Sequence, residues 1–320
     1  SEWFVFQDEW RNVPFAGRIG RPGDGGPIDF IVALTPSRVD YLLYHYRELI
    51  ANGMAGIYWD NIYINANANP LTGAAYRREI GGVQPEADIW RIREVTRRTA
   101  VMLHKLGKRN VSVAHMTNAQ LIPAFAWIGF NLDWEWKYGT TDFQDRFTRE
   151  YIRACSMGFQ SGAVQMILPG ITEVTGREQQ AWVERTRIAV CVPHEIKVWQ
   201  TDPLFGRITR AMLDMGYGTA ACDVYHYWDE NPVASIEGID GVFLVLSSPE
   251  TAMLFVSDFG NGGDCRIRLD VRRLGLKSDF IAANWEKPEE ALAAKEGAIE
   301  IPGFPRHDFR LYVISKKAGG

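Results

Sequence analysis

Cysteine is scarce in this sequence. Only four occur in 320 residues, Cys155, Cys191, Cys222 and Cys265. No two form a CxxC pair, which excludes a zinc ribbon and a thioredoxin-like redox motif. Each lies among apolar neighbours and reads as a small buried hydrophobe. A dominant charge is also lacking: 35 Lys and Arg against 39 Asp and Glu leave −4. Without a long basic run, a nucleic-acid partner is excluded. Long apolar stretches are absent as well. The longest are about strand length, short of the ~20 residues that span a bilayer, so no membrane segment is expected. The start, Ser-Glu-Trp-Phe-Val-Phe, carries neither the basic residues nor the apolar stretch of a signal peptide, and no initiator Met. The expectation is a chain processed, tagged or cut from something longer, with nothing that reads out a compartment.

Aromatic residues, in contrast, are plentiful: 11 Trp, 12 Tyr and 16 Phe. With 46% hydrophobic and 23% charged residues the composition is that of a globular protein. The length suits one large domain, or a large and a small one.

From about residue 28 to 230, short apolar runs alternate with amphipathic helices, the pattern of βα units around a parallel sheet. The runs are 57–59, 111–114, 130–132, 163–168 and 188–192. Helix starts are signalled by Thr35-Pro36 and Asp202-Pro203, a cap followed by Pro at the first helical position. Thr141 with Gln144, and Thr175 with Glu178, fit capping boxes. Apolar stripes from Val39 to Ile50 and from Ile89 to Leu106 end at Asn52-Gly53 and Gly107. After Pro232 the segments 242–246, 251–257, 265–271, 280–285 and 308–315 are short, β-rich and separated by turns. The expected domains are therefore a (β/α) barrel over 1–235 and an antiparallel β-sandwich over 236–320. The Gly-rich stretch 20–27 lacks the Lys-Ser/Thr ending of a phosphate loop, so no nucleotide cofactor is expected.

In a parallel barrel, chemistry is built at the carboxyl ends of the strands, and those ends are polar here. One run closes as Tyr58-Trp59-Asp60-Asn61, the next as His115-Met-Thr-Asn118, the third as Asp133-Trp134-Glu135-Trp136-Lys137-Tyr138. Acids placed directly after buried strands are expensive to desolvate unless paired or used. Trp59, Trp134, Trp136 and Tyr138 alternate with these polar groups. Flat aromatic faces beside carboxylates suit a sugar ring, so the expected partner is an oligosaccharide or polysaccharide.

Together, Gly-Ile-Tyr-Trp-Asp60-Asn61, Ala-His115-Met-Thr, Asp133-Trp-Glu135, Asp142-Phe-Gln-Asp145-Arg and His307-Asp-Phe-Arg-Leu-Tyr-Val resemble TIM-barrel glycoside hydrolases. The resemblance covers roughly residues 28–316. It is nearest to the uncharacterised glycoside hydrolase-like family related to the β-N-acetylgalactosaminidases. It implies an α/β fold, a (β/α)8-type (TIM) barrel followed by a small antiparallel β-sandwich, with Asp60 as a catalytic carboxylate. The acetylgalactosaminidases carry Asp-Glu where this chain has Asp60-Asn61, so a mechanism using the substrate's acetamido group would lose its general acid.

The arrangement of many retaining glycosidases, nucleophile on the fourth strand and acid/base on the sixth, instead assigns Asp60 and Glu135. A separation of ~5–5.5 Å is expected if the enzyme is retaining and ~6.5–9.5 Å if inverting. Asp133 competes with Glu135 for the acid role, because alternate residues of a strand share a face. Tyr58, Trp59, Asn61, His115, Asn118, Trp134, Trp136, Tyr138 and His194 are the expected substrate contacts. This registry supplies only the fourth to eighth strands. Either the barrel is irregular, or an N-terminal segment or partner chain completes it. A metal-dependent hydrolase built on His115, His194 and His226 is disfavoured because no HxH or HExxH exists, and no metal is expected. A carbohydrate-binding protein that keeps the aromatics without turnover is the other alternative.

Overall fold

A computed structural model of the chain describes residues 2–12, 33–62, 64–73, 75–115, 117, 121–137, 141–156, 162–170, 176–199 and 202–316. The side chains at 3, 133, 134, 137, 169 and 170 lie outside that description. The chain divides into two compact units: Ser1–Trp134 with Gly158–Gln165, and Glu135–Met157 with Met166–Gly320.

The first unit opens with helices α1 (Glu2–Trp10) and α2 (Pro36–Ala51). Thr35 caps α2 as expected, its hydroxyl accepting from Arg38 N, with Pro36 following. Strand β1 (Tyr58–Trp59) comes next. A long connection then carries two small antiparallel ribbons, β2 (Ala66–Asn67) with β5 (Glu86–Ala87) and β3 (Tyr76–Arg77) with β4 (Val83–Gln84). Helix α3 (Ile89–Lys105) leads to β6 (Val113–His115), and the short α4 (Ile122–Phe125) to β7 (Phe130–Lys137). β1 pairs with β6 and β6 with β7, all parallel, so their carboxyl ends lie side by side. The strands approach closely at Gly56, where a Cβ would lie 3.0 Å from the Val111 carbonyl carbon. Ile50, Ile57, Trp59, Ile92, Leu103 and Phe125 belong to the core of this unit.

β8 (Val164–Gly170) begins in the first unit, where Val164 N donates to Gly129 O, and ends in the second. There it pairs parallel with β9 (Lys197–Val198). The second unit also holds the helices α5 (Phe143–Arg146), α6 (Arg149–Cys155), α7 (Arg177–Cys191) and α8 (Pro203–Asp214). Two antiparallel sheets follow. One has the order β10 (Asp223–His226), β12 (Gly241–Ser247), β13 (Thr251–Asp258), β18 (Phe309–Ser315), β15 (Ile281–Asn284), β16 (Leu292–Ala293). The other has the order β11 (Ala234–Glu237), β14 (Gly263–Leu269), β17 (Ala298–Phe304), with the short α9 (Val271–Leu274) after β14.

β12 explains the architecture of this unit. Phe243 and Val245 join the core shared with β11, β14 and β17, while Leu244 and Leu246 join residues of α7 and α8. A strand buried on both faces reads as a continuous apolar run, which Val242–Leu246 does.

Three expectations change. Residues 188–192 are not a strand: they finish α7 and enter a 3₁₀ turn, and the parallel strand is β9. A helix buried all round gives the same short apolar run as a buried strand. The boundary at 235/236 falls inside β11, and the antiparallel pairing already starts at Asp223, because the helices pack on the outer face of the first sheet. The capping box of α5 is Asp142 with Asp145, one residue beyond the expected Thr141 with Gln144. Thr175 and the stretch 20–27 lie outside the described residues. Among the described residues there are five parallel strands, β1, β6, β7, β8 and β9, and not a closed barrel.

Candidate functional site

The sequence placed its acids at strand ends, and the structure gathers one group of them. Asp60 follows β1, and His115 ends the adjacent β6. Asp60 Oδ1 lies 2.9 Å from His115 Nδ1. The Tyr58 hydroxyl contacts the same nitrogen. A carboxylate oxygen can only accept, so Nδ1 carries the proton and is shared between the two oxygens. His115 is 3% exposed, and its Nε2 is buried with no hydrogen-bond partner among the described residues.

Asn61 completes the turn. Its φ of 54° is a left-handed conformation that Asn tolerates better than most residues. That turn aims Asn61 N at Asp60 Oδ1, 3.0 Å away. Asp60 is thus held through one oxygen by a main-chain and an imidazole N–H. Its Oδ2 has no hydrogen-bond partner among the described residues, and the side chain is 57% exposed. Tyr58 is exposed beside it.

Behind these residues runs a buried polar ladder that the sequence reading missed. Thr117 Oγ1 donates to Asn131 Oδ1 (3.1 Å), Asn131 Nδ2 to Gln165 Oε1 (2.7 Å), and Gln165 Nε2 to Ala163 O (3.3 Å). The signal was available in the strand period: residues 131, 133 and 135 of β7 share one face.

The remaining expected contacts divide. Glu135 is half-buried on β7. Trp136, expected as a sugar platform, is a core ring instead: 1% exposed, it stacks on Phe147 at 4.3 Å and tilts against Phe143. It occupies the strand face opposite Glu135. Trp59 is likewise buried, donating from Nε1 to the Tyr46 hydroxyl (3.1 Å). His194 is fully buried, with Nδ1 on Val190 O (2.7 Å) and Nε2 on the Tyr227 hydroxyl (2.8 Å). Burial pushes its pKa down to about 4, so it is a satisfied core histidine and not a substrate contact. Asn118, Tyr138 and the side chains of Asp133 and Trp134 lie outside the described residues.

In the second unit, two motif segments far apart in sequence meet. His307 Nδ1 lies 2.9 Å from Asp142 Oδ2, Trp182 Nε1 donates to Asp142 Oδ1 (3.0 Å), and Arg306 pairs with Asp145. Asp142, Asp145 and His307 bring three possible ligand atoms within 4.8 Å of one another. Each is already engaged by a donor or acid, which makes the group an ion-pair network closing α5 onto the His307 turn. His226 is similarly committed, its Nε2 2.8 Å from Glu195 Oε2, while Tyr217 donates to Glu195 Oε1. No described helix is long and apolar enough to cross a membrane.

No family model matches the sequence, and no curated protein does. Solved structures do resemble it. A noncanonical maltogenic α-amylase from Thermotoga neapolitana aligns over 98% of this chain and 74% of its own, with 10% identity and a TM-score of 0.55. The α-amylase of Geobacillus thermoleovorans, solved with acarbose, aligns over 98% and 73% at 8% identity and a TM-score of 0.51. An Anoxybacillus α-amylase aligns over 99% and 72% at 9% identity and a TM-score of 0.50. The fold is therefore that of TIM-barrel-like glycoside hydrolases. At such identities the likeness concerns fold alone.

Proposed function

We propose that the chain is a glycoside hydrolase with Asp60 as the carboxylate that attacks or stabilises the anomeric carbon. The observation that carries this reading is the one-sided grip on Asp60. Asn61 N and His115 Nδ1 fix Oδ1, while Oδ2 makes no hydrogen bond among the described residues and the side chain is 57% exposed. A nucleophile must be oriented and yet keep one oxygen free. The glycoside-hydrolase fold supports the reaction class.

In this reading Glu135 is the acid/base, with Asp133 as the competing choice. Glu135 protonates the departing glycosidic oxygen while Asp60 bonds to the anomeric carbon. The same residue then takes a proton from the water that hydrolyses the glycosyl-enzyme. Tyr58 and Asn61 contact the sugar beside Asp60, and His115 holds Asp60's rotamer from beneath. The substrate is an oligosaccharide or polysaccharide. A retaining outcome follows if Asp60 forms the covalent bond.

The test is a screen of aryl glycosides and oligosaccharides by reducing-end release, with the product anomer followed by NMR. Turnover that disappears in Asp60→Asn supports the proposal, and full turnover in that variant ends it. Oligosaccharide binding by the unaltered chain with no turnover supports the carbohydrate-binding alternative instead. Glu135→Gln should impair substrates with poor leaving groups and spare activated aryl glycosides. If Asp133→Asn shows that dependence, the two roles are exchanged.

A further inference from the structure

The second unit pairs its arginines with care. Arg185 bonds Glu286 and Asp308, Arg310 bonds Asp308, Arg149 bonds Asp240, and Arg266 bonds Glu300. Others, among them Arg177, Arg268 and Arg272, have no ion pair among the described residues, and one surface sets such cations beside open grooves. Helix α8 buries Phe205, Ile208 and Met212 on one side and exposes Arg207 and Arg210 on the other. Two adjoining grooves run along it and share Gly206 and Arg210. One, of about 300 Å³, lies over Lys197 of β9, and the other, of about 510 Å³, reaches Arg207, Asp214 and Trp285.

None of the three cations forms an ion pair among the described residues. Arg207 lies over the Trp285 ring at 5.6 Å, and Lys197 over the Tyr217 ring at 5.0 Å. Glu195, two residues from Lys197, has both oxygens engaged by His226 and Tyr217. Asp214, one helical turn from Arg210, does not pair with it although i,i+4 spacing would allow it. A chain of net charge −4 thus keeps two exposed guanidiniums without an ion pair along α8, near Lys197, whose charge Glu195 partly offsets.

We propose that this groove is a binding site for a small molecule bearing an oxyanion, a phosphate or a carboxylate. The two guanidiniums suit that group because their planar N–H forks match paired oxygens. The volume fits a ligand of sugar size, and the Trp285 side supplies an apolar wall. The site is independent of the chemistry proposed at Asp60.

Isothermal titration of the whole chain at low ionic strength tests it, using glucose 6-phosphate, glucuronate, inorganic phosphate and neutral glucose as probes. At least one anionic probe should bind, with glucose silent. Affinity should fall with added salt and drop ~10-fold or more in R207Q/R210Q, which removes two exposed charges that form no ion pair among the described residues. Lys197→Gln is the second variant, and circular dichroism checks that each is folded. Binding of the phosphate or of the carboxylate probe identifies the group taken, and Asp60→Asn should bind as the unaltered chain does. Three results overturn the proposal: no anionic probe binds, glucose binds as well as the anions, or the folded variants bind unchanged.

Discussion

The two units use the same pair of groups, a histidine and a carboxylate, to opposite ends. In the first unit His115 is buried and Asp60, 2.9 Å away, is 57% exposed. In the second, His307 and Asp142 sit at the same 2.9 Å, but the acid is only 9% exposed, and at His226–Glu195 it is 14%. Distance does not separate these pairs. What separates them is whether the protein engages one or both of the acid's oxygens. Asp142 accepts from Trp182 and His307, and Glu195 from Tyr217 and His226, each through both oxygens. Among the described residues Asp60 is held through Oδ1 alone. A carboxylate engaged through both oxygens is a structural joint, whereas one engaged through a single oxygen at a strand end can react.

Substitution breaks this comparison most sharply at Asp60. Asp60→Asn should lower turnover by ~10³-fold or more, since binding does not replace a lost nucleophile or stabilising charge. The melting curve should barely move, because removing one exposed charge changes stability by less than ~1 kcal/mol. Asp142→Ala should do the reverse to stability. It strands the buried His307 and the Trp182 N–H and removes the cap of α5, so a loss of about 3–5 kcal/mol is expected in urea titrations. If both variants behaved alike, engagement of one oxygen or both would not be what distinguishes the pairs.

The Asp60 group was legible because its signals are local. Tyr58, Asp60 and Asn61 share one strand and turn, and parallel pairing brings the next strand's end, with His115, alongside. The caps at Thr35 and Asp202 were legible for the same reason: each is read from two adjacent residues. Residues 188–192 were not, because burial on every side erases the helical period. Trp136 could have been assigned correctly, since strand alternation sets it opposite Glu135. The meeting of His307 with Asp142 spans 165 residues, and no local pattern encodes it.

His194 sharpens the comparison from the side of the base. Among the described residues it has no carboxylate partner, and its ring bonds to Val190 O and the Tyr227 hydroxyl. Burial, reinforced by Arg153 and His226, outweighs the bond to Val190 O and holds its pKa near 4. The unfolded chain takes up that proton near pH 6.5. The stability His194 supports is therefore complete above about pH 6.5 and falls as pH drops toward 4, by up to ~3 kcal/mol. Urea midpoints between pH 7.5 and 4.5 should show this slope, and His194→Gln should flatten it. An unchanged slope in the variant would assign the effect to other groups.

Asp88 supplies the converse, a buried acid with no histidine. It precedes α3 at 5% exposure, makes no side-chain cap bond, and leaves Oδ1 without a partner. Burial and then the charge of Glu86 raise its pKa to about 6, against the pull of Arg91. Because the folded state holds the proton more tightly than the unfolded chain, the carboxyl is best tolerated below its ordinary value near 3.8. That tolerance is lost as pH rises through about 6. At pH 7 the ionised group is a liability, and Asn is as good an N-cap residue. Asp88→Asn should therefore stabilise the protein by ~1–3 kcal/mol at pH 7 and lose that gain below about pH 4. Denaturant titrations at the two pH values measure the difference. A loss of stability at pH 7 would mean that the Asp88 charge is compensated within the fold. The number of oxygens engaged would then have to be weighed together with the surrounding charge before a carboxylate could be ranked as joint or reactive.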